Sequence, residues 1–308
     1  VRRAAVQGNK ETLCKLLITL TRTPCIADTN TEEAVALLDD GAELEYTDTE
    51  CRRTPLIWGV VCGRKDLVEL YLDRGARINV PDGRWTWTPA MWAVMENQNE
   101  ILDILIRREA DLLLIDSKRK RTALTWAASS GRDEAVQLLL NSKPELLSHT
   151  DGEHLTPLAC AYVGGHWKTA RLLLGAGDSA NAKVHGATLL EWAMVARNEE
   201  FVRLLLEHHA APDTADSQGV PLLITAIKRN LPNVVEWMVD CGADVQCKDK
   251  TGFSALMWAV WYNNEAIVEF LLERNADLHA VDCKGTTVQD LARQIGNQTI
   301  IHRVRLPC

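Results

Sequence analysis

Eight histidines, nine cysteines and a few paired acids are the side chains of this 308-residue chain with the means for covalent or metal chemistry. All eight histidines fall between His149 and His302, and Cys247, His279 and Cys283 lie on neighbouring segments. Three ligands without a fourth make a poor structural zinc site, which wants four in tetrahedral array. His208-His209 closes an expected helix, where histidine compensates the dipole, and Glu32-Glu33 and Glu199-Glu200 open helices, where negative charge suits the positive end. The chain has no phosphate-binding P-loop, no GxGxxG after a strand, no GxSxG and no HExxH. These residues therefore predict a protein that is not an enzyme and holds no cofactor or metal.

Recognition chemistry is better represented. Three short segments concentrate cations and indoles: Arg52-Arg53, Arg84-Trp85-Thr86-Trp87 and Lys118-Arg119-Lys120-Arg121. Stacked side by side they make a basic, partly aromatic edge on a chain whose formal charge is −8. Arginine pairs bidentately with carboxylate and phosphate oxygens, so the edge suits an acidic peptide or a phosphate group. Lys118–Arg121 also reads as a nuclear-localisation signal, and solvated loop tips are the plain alternative. Nucleic acid fits less well, because acids nearly match bases across this stretch and the whole chain is acidic.

What positions these residues is a repeat. Segments opening at Thr54, Thr88, Thr122, Thr156, Thr188, Pro221, Ser254 and Thr287 read TPLIWG, TPAMWA, TALTWA, TPLACA, TLLEWA, PLLITA, SALMWA and TVQDLA, at intervals of 32 to 34 residues. Such a period means one supersecondary unit stacked many times. In the copy starting at Asp249, Ser254 is placed to cap a helix over Ala255 to Trp261, and Asn263-Asn264 breaks it. Ala266, Ile267, Phe270, Leu271 and Leu272 then mark the apolar face of a second helix. No unit of this size buries its stripe alone, and stacking neighbours does so.

The arrangement resembles the ankyrin-repeat family over nearly the whole chain. The family's TPLH-x-A opening is matched by Thr54-Pro55-Leu56-Ile57-Trp58-Gly59 and its equivalents, and its later G-A-D by Gly242-Ala243-Asp244. The family histidine is missing everywhere; Ile57, Met91, Thr125, Ala159, Glu191, Ile224, Met257 and Gln289 stand there, so apolar packing is expected to replace its hydrogen bonds. The second to fourth starts lack a glycine two residues before the threonine, which predicts longer hairpin tips than those built on Gly219, Gly252 and Gly285. The resemblance implies an all-α solenoid of about nine helix-turn-helix units with short β-hairpin arms. Residues 1-50 read as degenerate capping repeats, 51-282 as the array and 283-308 as a closing cap. It also puts Asn79 and Asn181 where asparaginyl hydroxylases modify some ankyrin proteins.

Positions just before each inter-helix break point into the concave groove in that family. Here they are Val61/Cys62, Met95/Glu96, Ser129/Ser130, Val163/Gly164, Val195/Ala196, Lys228/Arg229 and Trp261/Tyr262. Much of this strip is small or apolar, and Trp261 and Tyr262 are residue types common at interface hot spots. Another column, Trp58, Trp92, Trp126, Trp192 and Trp258, is expected to fill volume between the two helices of each unit.

The expected function is a protein–protein interaction scaffold, with Trp261, Tyr262, Lys228, Arg229, Met95 and Glu96 in the groove and the basic tips steering a partner with an acidic segment. Two alternatives stand beside it: the targeting arm of a larger enzyme or signalling protein, and an enzyme or sensor with an enclosed pocket in the groove. The first residues read as the end of a repeat helix and have no signal-peptide core, so the segment reads as cut from a longer chain. Scattered cysteines without CxxC spacing suit a reducing compartment, cytoplasmic or nuclear. No apolar run approaches the ~20 residues of a membrane span.

Overall fold

The computed structural model describes residues 10–22 and 29–305. The stretch Ala4–Asn9 and most of the linker TRTPCIADTN lie outside the described residues. Among them are eighteen α-helices, in two compact units, Val1–Asp178 and Ser179–Cys308.

The first unit holds α1 (Lys10–Arg22), α2 (Thr29–Asp39), α3 (Pro55–Val61), α4 (Lys65–Asp73), α5 (Pro89–Met95), α6 (Asn99–Arg107), α7 (Ala123–Ser129), α8 (Asp133–Ser142), a 3₁₀ turn (Pro144–Ser148), α9 (Pro157–Val163) and α10 (Trp167–Gly175). Odd-numbered helices pack on odd and even on even, so the unit is two layers of stacked helices. The second unit begins with a two-stranded hairpin, β1 (Lys183–Val184) and β2 (Ala187–Thr188). It continues with α11 (Leu189–Val195), α12 (Glu199–Glu207), α13 (Leu222–Lys228), α14 (Pro232–Asp240), α15 (Ala255–Trp261), α16 (Glu265–Glu273), α17 (Val288–Ile295) and α18 (Gln298–Arg303).

The local sequence explains these bounds. Thr54, Thr88, Thr122, Thr156, Thr188, Ser254 and Thr287 each sit in extended backbone and accept from the N–H three residues on. Proline follows the cap at Pro55, Pro89 and Pro157, where its missing N–H is no loss. Pro221 is the exception and caps nothing through its side chain. The pairs turn at residues of positive φ, among them Gly63 and Asn97 in the first unit and Asn230 and Asn263 in the second.

The column that lacks the family histidine is buried except at Gln289, which is half-buried. Ile57, Thr125, Ala159, Ile224 and Met257 are 0% exposed, which bears out apolar replacement where the residue is apolar. Two polar members behave otherwise. Glu191 accepts from Ser217 N–H in the next hairpin at 3.2 Å, and Gln289 donates to the carbonyls of Leu278 and Val304. A link between repeats therefore survives there by other chemistry.

The tips before Thr88 and Thr122 are one residue longer, as the sequence predicts, and so is the one before Thr54. The tip before Thr156 is not, because Asp151 N–H closes on the Leu155 carbonyl four residues on, with His154 (φ 63°) in the glycine position. Asp82 N–H closes on the Trp87 carbonyl and Asp116 on Arg121, five residues apart, whereas Asp249 closes on Phe253 and Asp282 on Thr286. The left-handed position taken by Gly252 and Gly285 is held by Arg52 (φ 51°), Thr86 (φ 57°) and Lys120 (φ 55°). Left-handed backbone costs an L-residue roughly 1–2 kcal/mol, partly offset by glycine's larger unfolded-state entropy. Lys120 is exposed, so Lys120→Gly is expected to stabilise the first unit by about 0.5–1 kcal/mol, raising its thermal midpoint. A midpoint at or below that of the parent chain counts against strain at this tip.

Candidate binding surfaces

An aspartate recurs in every tip but one and fixes it; the Lys183–Thr188 hairpin has none, and there Trp192 Nε1 donates to the Val184 carbonyl at 3.2 Å. Asp48 Oδ1 accepts from the N–H groups of Glu50 and Cys51, Asp116 Oδ1 from Lys118 and Arg119, and Asp249 Oδ1 from Thr251 and Phe253. The second oxygen reaches the helix that follows. Trp58 Nε1 donates to Asp48 Oδ2 at 2.9 Å, Trp126 to Asp116 at 3.2 Å and Trp258 to Asp249 at 2.9 Å. Burial pushes the Asp249 carboxyl up, but the hydrogen bonds from Thr251, Trp258 and Phe253 outweigh it and hold the group below its usual range. The recurrence of Asp before every cap but Thr188 was visible in the sequence, but its partner was not.

This geometry corrects the reading of the tryptophan column as filler between paired helices. Only Trp92 is buried; Trp58, Trp126 and Trp258 are half-buried and Trp192 is 39% exposed. Trp58, Trp92, Trp126 and Trp258 lie against the residue that precedes the cap. In the first unit this builds a mixed stack: the Arg53 guanidinium sits 4.7 Å from the Trp58 centroid and 4.0 Å from Trp92, Trp87 lies 4.8 Å from both Trp92 and Trp126, and Arg121 is 4.9 Å from Trp126. Such contacts strengthen when water is excluded.

The stack divides the cations expected at the tips into two kinds. Arg53 and Arg121 turn inward, with side chains 11% and 9% exposed, which departs from the expectation that they face a partner. Arg121 Nε bonds Asp151 Oδ2 at 3.1 Å, and that carboxylate is itself buried. Arg52, Arg84, Lys118, Arg119 and Lys120 are exposed. Trp85 is half-buried beside them, with Arg84 5.3 Å and Lys118 4.0 Å from its ring, and Trp87 stacks below it at 5.9 Å. Met95 is half-buried, with its carbonyl accepting from Arg132, while Glu96 is exposed.

The second unit presents a different surface. Trp261 and Tyr262 are 43% and 47% exposed at the end of α15. Phe253 lies 5.0 Å from Trp258 and 6.4 Å from Trp261, and Tyr262 stacks on Trp258 at 5.8 Å. The Lys228 ammonium caps this cluster 3.9 Å from the Trp258 ring, and the neighbouring Arg229 is half-buried. Beside it Asn230, Tyr262, Asn263, Asn264 and Glu265 line an open depression.

Asn79 and Asn181 span repeats: their Oδ1 atoms accept from Asp111 N–H at 2.9 Å and Ala211 N–H at 2.7 Å. Among the described residues no group of three or more His, Cys, Asp or Glu is arranged to hold a metal, and no helix is long and apolar enough to cross a membrane.

No curated protein is a significant match to the chain. The family pattern of ankyrin repeats, in its three-copy form, matches residues 81–148, 144–216 and 209–282, more than half of the sequence. With capped helix pairs packed on one another within each unit, and with that pattern across most of them, the chain belongs to the ankyrin-repeat family, whose repeats are in general protein–protein interaction modules and typically non-enzymatic.

Proposed function

We propose that the eighteen helices form nine repeat units of a protein-binding scaffold, and that the second unit's aromatic cluster is its main anchor. The observation that carries this reading is the pair Trp261 and Tyr262, two large rings almost half exposed and held in place by stacking on Trp258 and Phe253. Rings fixed by their neighbours lose little entropy on binding, and tryptophan and tyrosine dominate measured hot spots. Lys228 and Arg229 set cations at the rim, where charge governs encounter more than affinity. The adjacent depression is open to solvent, which suits a peptide segment better than an enclosed small molecule. In the first unit Glu96, half-buried Met95 and the exposed tip cations supply further contacts. The seven described cysteines are all free thiols, in keeping with a cytoplasmic or nuclear site of action.

Affinity capture from cell extract with the chain, beside Trp261→Ala/Tyr262→Ala, tests this. A partner retained by the parent chain is expected to be lost at least tenfold by the double variant, with far-UV helicity unchanged, because both side chains are exposed. Equal retention by both proteins removes this surface from the scheme.

A further inference from the structure

Most cations on or beside the helices of the first unit have a carboxylate partner, with Arg22, Arg132 and Arg171 as scattered exceptions among the described residues. Lys10, Lys15, Arg64, Lys65, Arg74, Arg107, Arg108 and Lys168 each have a carboxylate within ion-pair distance. Arg52, Arg84, Lys118, Arg119 and Lys120, all on three consecutive tips, have none among the described residues. In a chain of net charge −8 acids are plentiful, so five neighbouring cations without one form a distinct surface. Their geometry adds to the repulsion. Arg84 and Lys118, from adjacent tips, sit on the same Trp85 ring. A ring accommodates a cation on its face, but two cations so close leave a field that an anion relieves.

The tips are also held in fixed order. Gly83 N–H donates to the Cys51 carbonyl at 3.0 Å, Ser117 N–H to Thr86 Oγ1 at 2.6 Å and Gly152 N–H to the Arg119 carbonyl at 2.6 Å. A Cβ on Gly83 would lie 2.6 Å from Arg52 Cβ, so the first of these approaches needs glycine. Arg52, Thr86 and Lys120 meanwhile occupy the strained position that glycine fills elsewhere, and two of the three carry charge there. Strain retained at a surface position is what a binding role would explain.

We propose that this edge is a docking site for an extended acidic peptide segment whose carboxylates repeat at about every third residue. The spacing follows from the stack. Successive helices, and the tips they carry, are about 8–10 Å apart. An extended chain advances ~3.3 Å per residue, so three residues carry it from one tip to the next. One carboxylate would meet Arg52, one three residues on would meet Arg84, and a short acidic run would meet Lys118, Arg119 and Lys120. A single phosphate reaches only one tip. A nucleic-acid strand would bring a continuous polyanion against an acidic chain through only five cations. The proposal rests on the scaffold reading above but uses residues of the other unit.

The test is fluorescence anisotropy of two labelled peptides with the 308-residue chain at low ionic strength. Both contain the same five acids in a Gly/Ser background. One places them at positions 1, 4, 7, 8 and 9, and its isomer has all five contiguous. The spaced peptide is expected to bind at least fivefold more tightly, and Arg52→Gln/Arg84→Gln to abolish that difference while the contiguous peptide still binds. Lys65→Gln, which removes a paired helix cation, should leave both unchanged. Equal affinity for the two peptides overturns the proposal, as does no binding of either at millimolar concentration. Tighter binding of a single-stranded oligonucleotide of equal length overturns it in favour of a polyanion site. Partner capture that depends on Trp261 and Tyr262 is unaffected by any of these results, so the two readings fail separately.

Discussion

Arg121→Ala is expected to destabilise the first unit by roughly 3–5 kcal/mol, far more than its place in a run of surface cations suggests. The Arg121 side chain is 9% exposed and its partner Asp151 only 1%. Asp151 cannot turn toward water, because its Oδ1 already accepts from the N–H groups of Glu153 and Leu155 at 2.9 and 3.0 Å. Removing the guanidinium leaves Oδ2 facing only the Cys160 thiol, 3.8 Å away, a weak donor for a buried charge. It also strips the cation from Trp126. By contrast Arg119→Ala, at an exposed position in the same run, should fall within about 0.5 kcal/mol of the parent. Urea unfolding at neutral pH, followed by far-UV circular dichroism, reads both. In the background Asp151→Asn, Arg121→Met should lose clearly less than the two single changes added together, because no unpaired charge is then left behind. An Arg121→Ala loss under about 1 kcal/mol would mean that Asp151 reaches solvent, and the buried pair would have to be abandoned.

The same residue shows how far the sequence could be read. Period, caps and breaks were legible because they depend on local chemistry: a threonine or serine before an apolar run, a glycine or asparagine after it. The helix over Ala255 to Trp261 appears with those bounds, and the extra tip residue appears before Thr88 and Thr122 but not before Thr156, where His154 replaces the glycine without added length. Which way a side chain turns from the tip was not legible. Arg119, Lys120 and Arg121 look alike in sequence, yet at the caps Thr54, Thr88, Thr122 and Ser254 the preceding residue points back over the following helix, where an indole stands four residues beyond the cap. Arg53 over Trp58, Arg121 over Trp126 and Phe253 against Trp258 share that relation. Two columns five residues apart carry the signal, and it shows only when both are set side by side. The aromatic cluster of the second unit was half legible. Trp261 and Tyr262 could be named from their position, but Phe253 joins them from the turn before α15 and Lys228 from the end of α13, through the packing of one repeat on the next.

Trp92→Ala is the other large loss expected, roughly 3–5 kcal/mol. Trp92 is 7% exposed and is the buried centre of the first unit's stack, with Arg53 at 4.0 Å on one contact and Trp87 at 4.8 Å on another. Truncation opens a void beneath both, and the Arg53 side chain, 3.9 Å from Asp82, keeps only the more distant Trp58 ring, 4.7 Å away. Trp192→Ala is the comparison: that ring is 39% exposed, so its removal should cost no more than about 1.5 kcal/mol. Equal losses at the two sites in urea unfolding would mean that the stack does not support the fold. The indole nitrogens separate packing from hydrogen bonding. Trp92 Nε1 is buried without a hydrogen-bond partner among the described residues, whereas Trp58 Nε1 donates to Asp48 at 2.9 Å. Phenylalanine keeps most of the ring and discards the donor. Trp92→Phe should therefore cost only about 1 kcal/mol, from lost volume alone. Trp58→Phe should cost more, despite the greater exposure of that ring, because it deprives the Asp48 carboxylate of a charge-assisted bond of about 1.5–3 kcal/mol. If Trp92→Phe proves the costlier change, ring volume rather than the Asp–indole bond sets the stability of this column.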